Sequence, residues 1–384
     1  MKKSISLILV FIFLLNIFVI SSGAINEGEV EVKAKSAVLM DADTGEVLFS
    51  FNENERLHPA SVTKIMPMLL VMEALESGKL SLTDIVTASS NASSKGGSQI
   101  WLKEGEQMTV DDLLKATAIG SANDAVTALG EHLYGSEEAF VSAMNVRAEE
   151  LGMINTNFEN GSGLDDDTTE HLTTAYDITL MSKELLKHEK ITDYTTVWMD
   201  SLRNGATELV NTNKLVRFYN GTTGLKTGTT TKAGYCLSAS AKRNGLHLIA
   251  VIMGASNSTD RFESAKALLN WGFSNFETVT IETDPSLLSP VRVKKGEEPY
   301  VMPCPEKDIV LTLRKGIKDK IETQVELCDY VEAPAEENQI VGKVTLKNDG
   351  ETIGEYNLIS ENAVKRINFG SMLFRFLKVL SKSL

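Results

Sequence analysis

His58-Pro59-Ala60-Ser61-Val62-Thr63-Lys64 runs without a break into Ile65-Met66-Pro67-Met68-Leu69-Leu70-Val71-Met72, and this stretch decides the reading of the chain. The apolar run predicts a buried helix. Pro59 suits the first turn, where its missing N–H costs nothing. Ser61 and Lys64 stand three residues apart, so a helix sets hydroxyl and amine on one face, one turn apart. Ser61 then lies at a helix start, where free N–H groups and the dipole favour negative charge. Alone, the pair has a bland explanation, a capping serine beside a solvated lysine, because Ser is a preferred N-cap. Pro67 falls inside the apolar run and predicts either a kink or a non-ideal first turn.

Downstream, Ser121-Ala122-Asn123 and Lys226-Thr227-Gly228 add a second hydroxyl, an amide, a second amine and a backbone strip. Each triplet is a weak signal by itself. Their order and separations are much more specific, and together they describe a serine acyl-transfer site that needs neither histidine nor metal.

At these residues the chain resembles the low-molecular-mass penicillin-binding proteins that are serine-type D-alanyl-D-alanine carboxypeptidases, peptidase family S11. The resemblance extends through Gly96-Gly97-Ser98, Leu102 and Gly105, Asn123-Asp124-Ala125, and Gly163-Leu164 before His171. It continues at Thr174-Ala175-Tyr176-Asp177, Asn211-Thr212-Asn213, Gly224-Leu225 and Arg261 before Leu268-Leu269. It implies an α+β fold: a β-lactamase/transpeptidase-like catalytic domain, an antiparallel sheet with helices, then a small β-rich domain and a C-terminal amphipathic helix. It also implies removal of the terminal D-alanine from peptidoglycan stem pentapeptides, with β-lactams as a second class of ligand. Residue 229 is where the family often has His or an aromatic; here it is Thr229, which puts in doubt any help that side chain gives to deacylation.

The chemistry assigns roles. Ser61 is the expected nucleophile, and Lys64 the base that takes its proton. Lys64 must then be neutral, which burial and a second cation, Lys226, would favour. Ser121 can relay a proton to the leaving amine, and Asn123 can orient Lys64 or the peptide amide. Lys226-Thr227-Gly228-Thr229 reads as an edge strand to which an extended peptide adds. Gly228 leaves room for its backbone, and the N–H groups of Ser61 and Thr229 form the expected oxyanion hole. Thr227 and Arg261 are the expected binders of a terminal carboxylate.

The rest of the chain supplies setting. Met1-Lys2-Lys3, an apolar run from Ile5 to Ile20 and Ser21-Ser22-Gly23-Ala24 read as a signal peptide, residues 1–24, cut after Ala24. Residues 25–275 mix strand and helix patterns and form the expected catalytic domain. They include a hairpin around Asp43-Thr44-Gly45, a central strand from Leu246 to Met253, and helices over Val110–Ala118 and Asp124–Leu133. Residues 277–360 alternate like strands, with a turn at Asp349-Gly350. From Ala363 to Leu384 there is no acid, and eight large apolar residues share one helical face opposite Arg375, Lys378 and Lys382. Such a helix, 363–384, suits the surface of an anionic bilayer on a chain of net charge −14. The protein is therefore expected to be exported and peripheral to the outer face of the cytoplasmic membrane.

The five histidines form no metal-binding pattern, there is no phosphate loop, and no basic nucleic-acid patch lies outside the tail, so neither cofactor nor metal is expected. Asp165-Asp166-Asp167, beside the flexible Gly161-Ser162-Gly163, reads as a solvated loop. Cys236 reads as a core thiol; three cysteines allow at most one disulfide, and the sequence leaves open whether Cys304 and Cys328 of the second domain form it. Two rival functions share features of the chain. One is a serine β-lactamase, which has the same nucleophile motif; the other is a catalytically silent wall-binding or sensor protein.

Overall fold

The structure, a computed structural model, describes residues 30–165 and 168–373. The expected signal peptide, Asp166, Asp167 and the tail from residue 374 lie outside the described residues.

Strands β1 (Ser36–Asp41), β2 (Val47–Phe51), β3 (Thr222–Thr230), β4 (Gly234–Arg243) and β5 (Leu246–Ala255) build one antiparallel sheet in the order β2-β1-β5-β4-β3. The Asp41 carboxylate fixes the β1–β2 turn by accepting the N–H groups of Asp43 and Thr44, at 2.7 and 3.0 Å. Alternate residues of a strand face opposite sides. Val38 and Met40 accordingly join one core and Ala37 and Leu39 the other. The first core holds α1 (Ile65–Glu76), α2 (Val110–Ala118), α3 (Asn123–Tyr134) and α4 (Ala175–Leu186); α5 (Ser258–Asn275) covers the second. Because both faces are covered, β5 is buried on both sides, which is why it reads as one apolar run.

The expected helices form where their caps are. Thr109 accepts the Asp112 N–H at 3.1 Å ahead of α2, and Gly135, at φ 86°, closes α3 in the left-handed region.

From Phe276 the chain is almost entirely strand. Phe276–Ile281 pairs with Ile309–Arg314, and Val291–Lys294 lies between Tyr300–Val301 and Tyr330–Glu332. Four strands, Pro303–Pro305, Glu351–Ser360, Ile340–Asn348 and Ile321–Leu327, form the largest sheet here. These strands enclose a separate core that includes Val291, Val331, Val344, Leu346 and Leu358. Thr312 donates to the buried Asp41 carboxylate at 2.5 Å, tying this part to the β1–β2 turn.

Two expectations change, and the pairing of Cys304 and Cys328, left open by the sequence, is answered. Val364 belongs to the second core, and the backbone of 364–367 is bonded to Ala335, Glu297 and Lys295, so the terminal helix starts at 369 rather than 363. Asn368 caps it by accepting the Ser371 N–H at 2.9 Å. Cys304 and Cys328 are both free; no bridge joins them. Asp165 is buried rather than solvated, its carboxylate accepting from the Thr230 hydroxyl. Cys236 is a buried core thiol, as expected. Among the described residues no helix is long and apolar enough to cross a membrane.

Candidate active site

Ala60–Lys64 is a 3-10 turn that hands over to α1 at Ile65. Side chains three apart eclipse in a 3-10 turn. That geometry, rather than an α-helical one, stacks Ser61 and Lys64, with Lys64 Nζ 2.9 Å from Ser61 Oγ. Pro67 is the third residue of α1, still in its first turn, so the non-ideal start rather than a kink is what it marks.

Lys64 is fully buried. Its Nζ donates to Asn123 Oδ1 and to the Ser162 carbonyl, both at 2.6 Å. Both partners only accept, so two N–H groups are committed to them and the third position of the nitrogen faces Ser61 Oγ. Burial first, and the Lys226 ammonium second, hold the Lys64 amine well below the usual lysine range, with Asp124 opposing. A neutral Lys64 keeps both N–H bonds and turns its lone pair on the serine hydroxyl. Lys226, also buried, is lowered to about 7 by burial and then by Arg261.

Asn123 is oriented by its other end, which donates to the Gly96 carbonyl at 2.7 Å, while its backbone N–H bonds the Ser98 carbonyl at 2.7 Å. Ser121 is buried on the turn before α3, in the left-handed region at φ 61°.

The strand β3 is an edge strand, as expected, and passes directly beside the Ala60–Lys64 turn. A Cβ on Gly228 would lie 2.6 Å from Pro59 O and 2.9 Å from Ser61 N. The space that glycine leaves is therefore filled by the nucleophile segment itself, not only reserved for a ligand. Thr227 donates to the Thr212 hydroxyl at 2.6 Å. Arg261, on α5, does not present a free fork. Its Nη1 is shared among Gly228 O, Thr229 Oγ1 and Cys236 O at 3.2 to 3.3 Å, and its plane lies against Phe262 and Tyr235. It braces the end of β3 and brings positive charge to Thr229.

Sequence reasoning gave no role to several residues that build this site. Ser162 supplies a carbonyl to Lys64, and Asn160 fixes that loop by accepting the N–H groups of Ser162 and Gly163, at 3.1 and 2.7 Å. The Gly161–Gly163 stretch is thus held, not loose. Gly163, at φ 82°, packs so closely that a Cβ would stand 1.9 Å from Ala60 O. The Asn followed by small residues was a readable signal, since Asn side chains cap the N–H two residues on. His171 accepts the Glu159 N–H at Nδ1, 2.9 Å, so Nε2 carries the proton and donates to Thr63 at 2.8 Å. Asp124 accepts from Ile100 and Leu102 N–H groups at 2.9 to 3.1 Å. Among the described residues no cluster of His, Cys, Asp or Glu is arranged to hold a metal.

Residues 23–257 match the model of the D-alanyl-D-alanine carboxypeptidases, peptidase S11. The chain belongs to that family. Residues 276–366 match the C-terminal domain of penicillin-binding protein 5. The chain is 42% identical to D-alanyl-D-alanine carboxypeptidase DacF of Bacillus subtilis (strain 168), over 98% of each chain. Among solved structures it is similar to penicillin-binding protein 5 of Haemophilus influenzae, at TM-score 0.79 and 32% identity, covering 88% of this chain and 98% of that one. It is also similar to penicillin-binding protein D2 of Listeria monocytogenes in its ampicillin-bound form, at TM-score 0.58 and 31% identity, covering 63% and 98%. As an S11 carboxypeptidase the chain is a serine hydrolase with an α+β catalytic part and a β-rich C-terminal part.

Proposed function

We propose that this carboxypeptidase removes the terminal D-alanine of peptidoglycan stem peptides by way of an acyl group on Ser61, and that penicillin acylates the same oxygen. The observation that carries the assignment is the buried amine of Lys64, two of whose positions are taken by acceptors while the third faces Ser61 Oγ. The peptide adds as a strand along β3, with its carboxylate at the hydroxyls of Thr227 and Thr229 and the positive charge of Arg261 behind them. Lys64 takes the Ser61 proton as Oγ attacks the carbonyl carbon of the penultimate D-alanine. The N–H groups of Ser61 and Thr229 receive the oxyanion, a contribution often worth about 3–4 kcal/mol per donor. Ser121 passes a proton to the departing amine, D-alanine leaves, and water then hydrolyses the acyl-serine. Asn123 holds Lys64 and the peptide amide, and Lys226 keeps Lys64 neutral. A β-lactamase would turn the adduct over quickly, and a silent wall-binding protein would form none.

Residues 1–24 act as the signal peptide, 25–275 as the catalytic domain, and the strands from 277 as a second domain that carries the tail. The tail holds the enzyme on the anionic outer face of the cytoplasmic membrane. In support, Phe369, Met372 and Leu373 are exposed, Phe369 by 75%, rather than docked on the protein.

Mass spectrometry of the penicillin-treated protein tests the central assignment. The added mass is expected on the peptide containing Ser61 and to persist on a timescale of minutes or longer. An adduct elsewhere, or none on folded protein, would remove Ser61 from the role.

A further inference from the structure

Trp101 stands out in the solvent, 73% exposed, on the loop that follows Ser98. A single exposed aromatic is ordinary. What sets this one apart is its backbone, at φ 60°, a conformation that a bulky residue rarely adopts. The neighbours on both sides are fixed: the fully buried Asp124 carboxylate accepts the N–H groups of Ile100 and Leu102, and Arg203 donates to the Ile100 carbonyl at 2.9 Å. Asp124 adjoins Asn123, so the same turn that orients Lys64 also props up Trp101. With Ile100 and Leu102 both buried in the core, the backbone between them turns the indole outward.

A groove of about 550 Å³ runs beside it, lined by Trp101, Lys103, Glu104, Glu106, Arg203 and Thr207 among others. Arg203, at the tip of the hairpin of Met199–Leu202 and Thr207–Val210, is also in the left-handed region, at φ 53°. Its guanidinium forms part of the groove wall, Nε donating to Glu106 at 2.7 Å and Nη1 to Ile100 O and Thr207 Oγ1, both at 2.9 Å. Apart from Asn and Asp, the described non-glycine residues with positive φ are Ala60, Trp101, Ser121, Arg203 and Lys295. Ala60 and Ser121 belong to the catalytic turns, Arg203 shares its left-handed backbone with Asn204 and Gly205 as the turn of its hairpin, and Trp101 lies in this groove with no such turn to account for it. Such strain persists where the surroundings over-determine it, and it gathers at functional sites.

We propose that this groove binds the glycan end of the substrate, with an amino-sugar ring lying on Trp101 and its hydroxyl and acetamido groups meeting the exposed Lys103 and Glu104. The chemistry fits. An indole face accepts the C–H face of a sugar, and charged side chains bond its hydroxyls and amide. Glu104 and Lys103 are unsuited to an apolar partner. The groove is also tied to the site: Trp101 lies on the loop of Ser98, whose carbonyl accepts the Asn123 N–H at 2.7 Å beside Lys64. This inference rests on the carboxypeptidase reading above and extends it from the stem peptide to the sugar that bears the stem.

The test compares two substrates on wild type, Trp101→Ala and Trp101→Phe. One is an acetylated tripeptide ending in D-Ala-D-Ala; the other is the pentapeptide stem on its N-acetylated disaccharide. Penicillin acylation of each variant reports that the fold and Ser61 are intact. The expected result is that Trp101→Ala lowers the ratio of kcat/KM for the disaccharide substrate to that for the tripeptide at least fivefold, mainly through KM. Trp101→Phe is expected to restore most of the ratio. An unchanged ratio, whether both activities fall together or neither falls, would overturn the glycan site while leaving the carboxypeptidase reading in place. Wild-type protein that cleaves neither substrate would overturn the carboxypeptidase reading and this inference with it.

Discussion

Two lysines of the same type stand in one buried site, yet their removal is expected to fail differently. Lys64→Ala deletes the base, and acylation by penicillin at neutral pH should fall by about 10²–10⁴-fold, the usual worth of a positioned general base. Lys226→Ala removes a cation that holds Lys64 neutral, so the amine regains affinity for a proton. Acylation should then fall less, and its acid limb should move to higher pH. Stopped-flow acylation rates from pH 5 to 10 separate the two; equal rates for wild type and Lys64→Ala would take Lys64 out of the base role. His171 gives a second measurement. Burial lowers it to about 4 from an ordinary 6.5, so the folded protein keeps it neutral where the unfolded chain protonates. Stability from this group is complete above pH 6.5 and lost as pH falls toward 4, on the order of 3 kcal/mol. Urea unfolding should show a larger fall over that range in wild type than in His171→Gln. No difference between them would mean that the shift is absent. The three triplets made the residues that meet at this site legible in the sequence, because the proposed chemistry needs their particular functional groups. The carbonyl of Ser162 was not legible, because any residue has one.

The elements matter through how closely they pass. Gly228 brings β3 against the nucleophile turn, and Gly163 brings the Asn160 loop against its other side. A methyl group on Gly228 meets backbone atoms that cannot swing away, so Gly228→Ala should push β3 off Ser61 and displace the oxyanion donors. Acylation is expected to fall by at least about 10²-fold, as when an oxyanion donor is lost. The circular dichroism spectrum should stay close to that of wild type, since the sheet is held from β4. Wild-type acylation in Gly228→Ala would show that the contact is not functional. Strand and helix periods announced β1, β2, β5, α2 and α3 from the sequence, because each shows one or two covered faces in its pattern. The 3-10 turn at Ala60 was not announced, since a 3-10 and an α start share the same composition.

At the scale of the molecule, every residue of the site described above precedes 275, while the terminal helix follows a separate core. Truncation after Ile367 leaves that core complete, because 364–367 are bonded within it. The truncated protein should keep full acylation and lose binding to anionic vesicles. In the full chain, Arg375→Gln, Lys378→Gln and Lys382→Gln together should weaken binding mainly at low salt, where charges are least screened. Vesicle sedimentation decides this; a truncated protein that still pellets would place the membrane contact elsewhere. The free, separated Cys304 and Cys328 also belong to this scale, because pairing depends on where two strands are laid, which no spacing fixes.

By itself the sequence determined the reaction class, the residues proposed to supply nucleophile, base and amide, and the division into a mixed catalytic part and a strand-rich part. Reactive groups are carried by residue type, and covered faces by periodicity, and both are written locally. Tertiary structure alone decided that Lys64 is denied water, that Asn160 and His171 hold the turns around it, and that Arg261 braces β3 instead of standing free. It also decided that Trp101 is kept out of the core. Each of these depends on contacts between residues tens of positions apart, where burial and close approach set the energies and no local pattern records them.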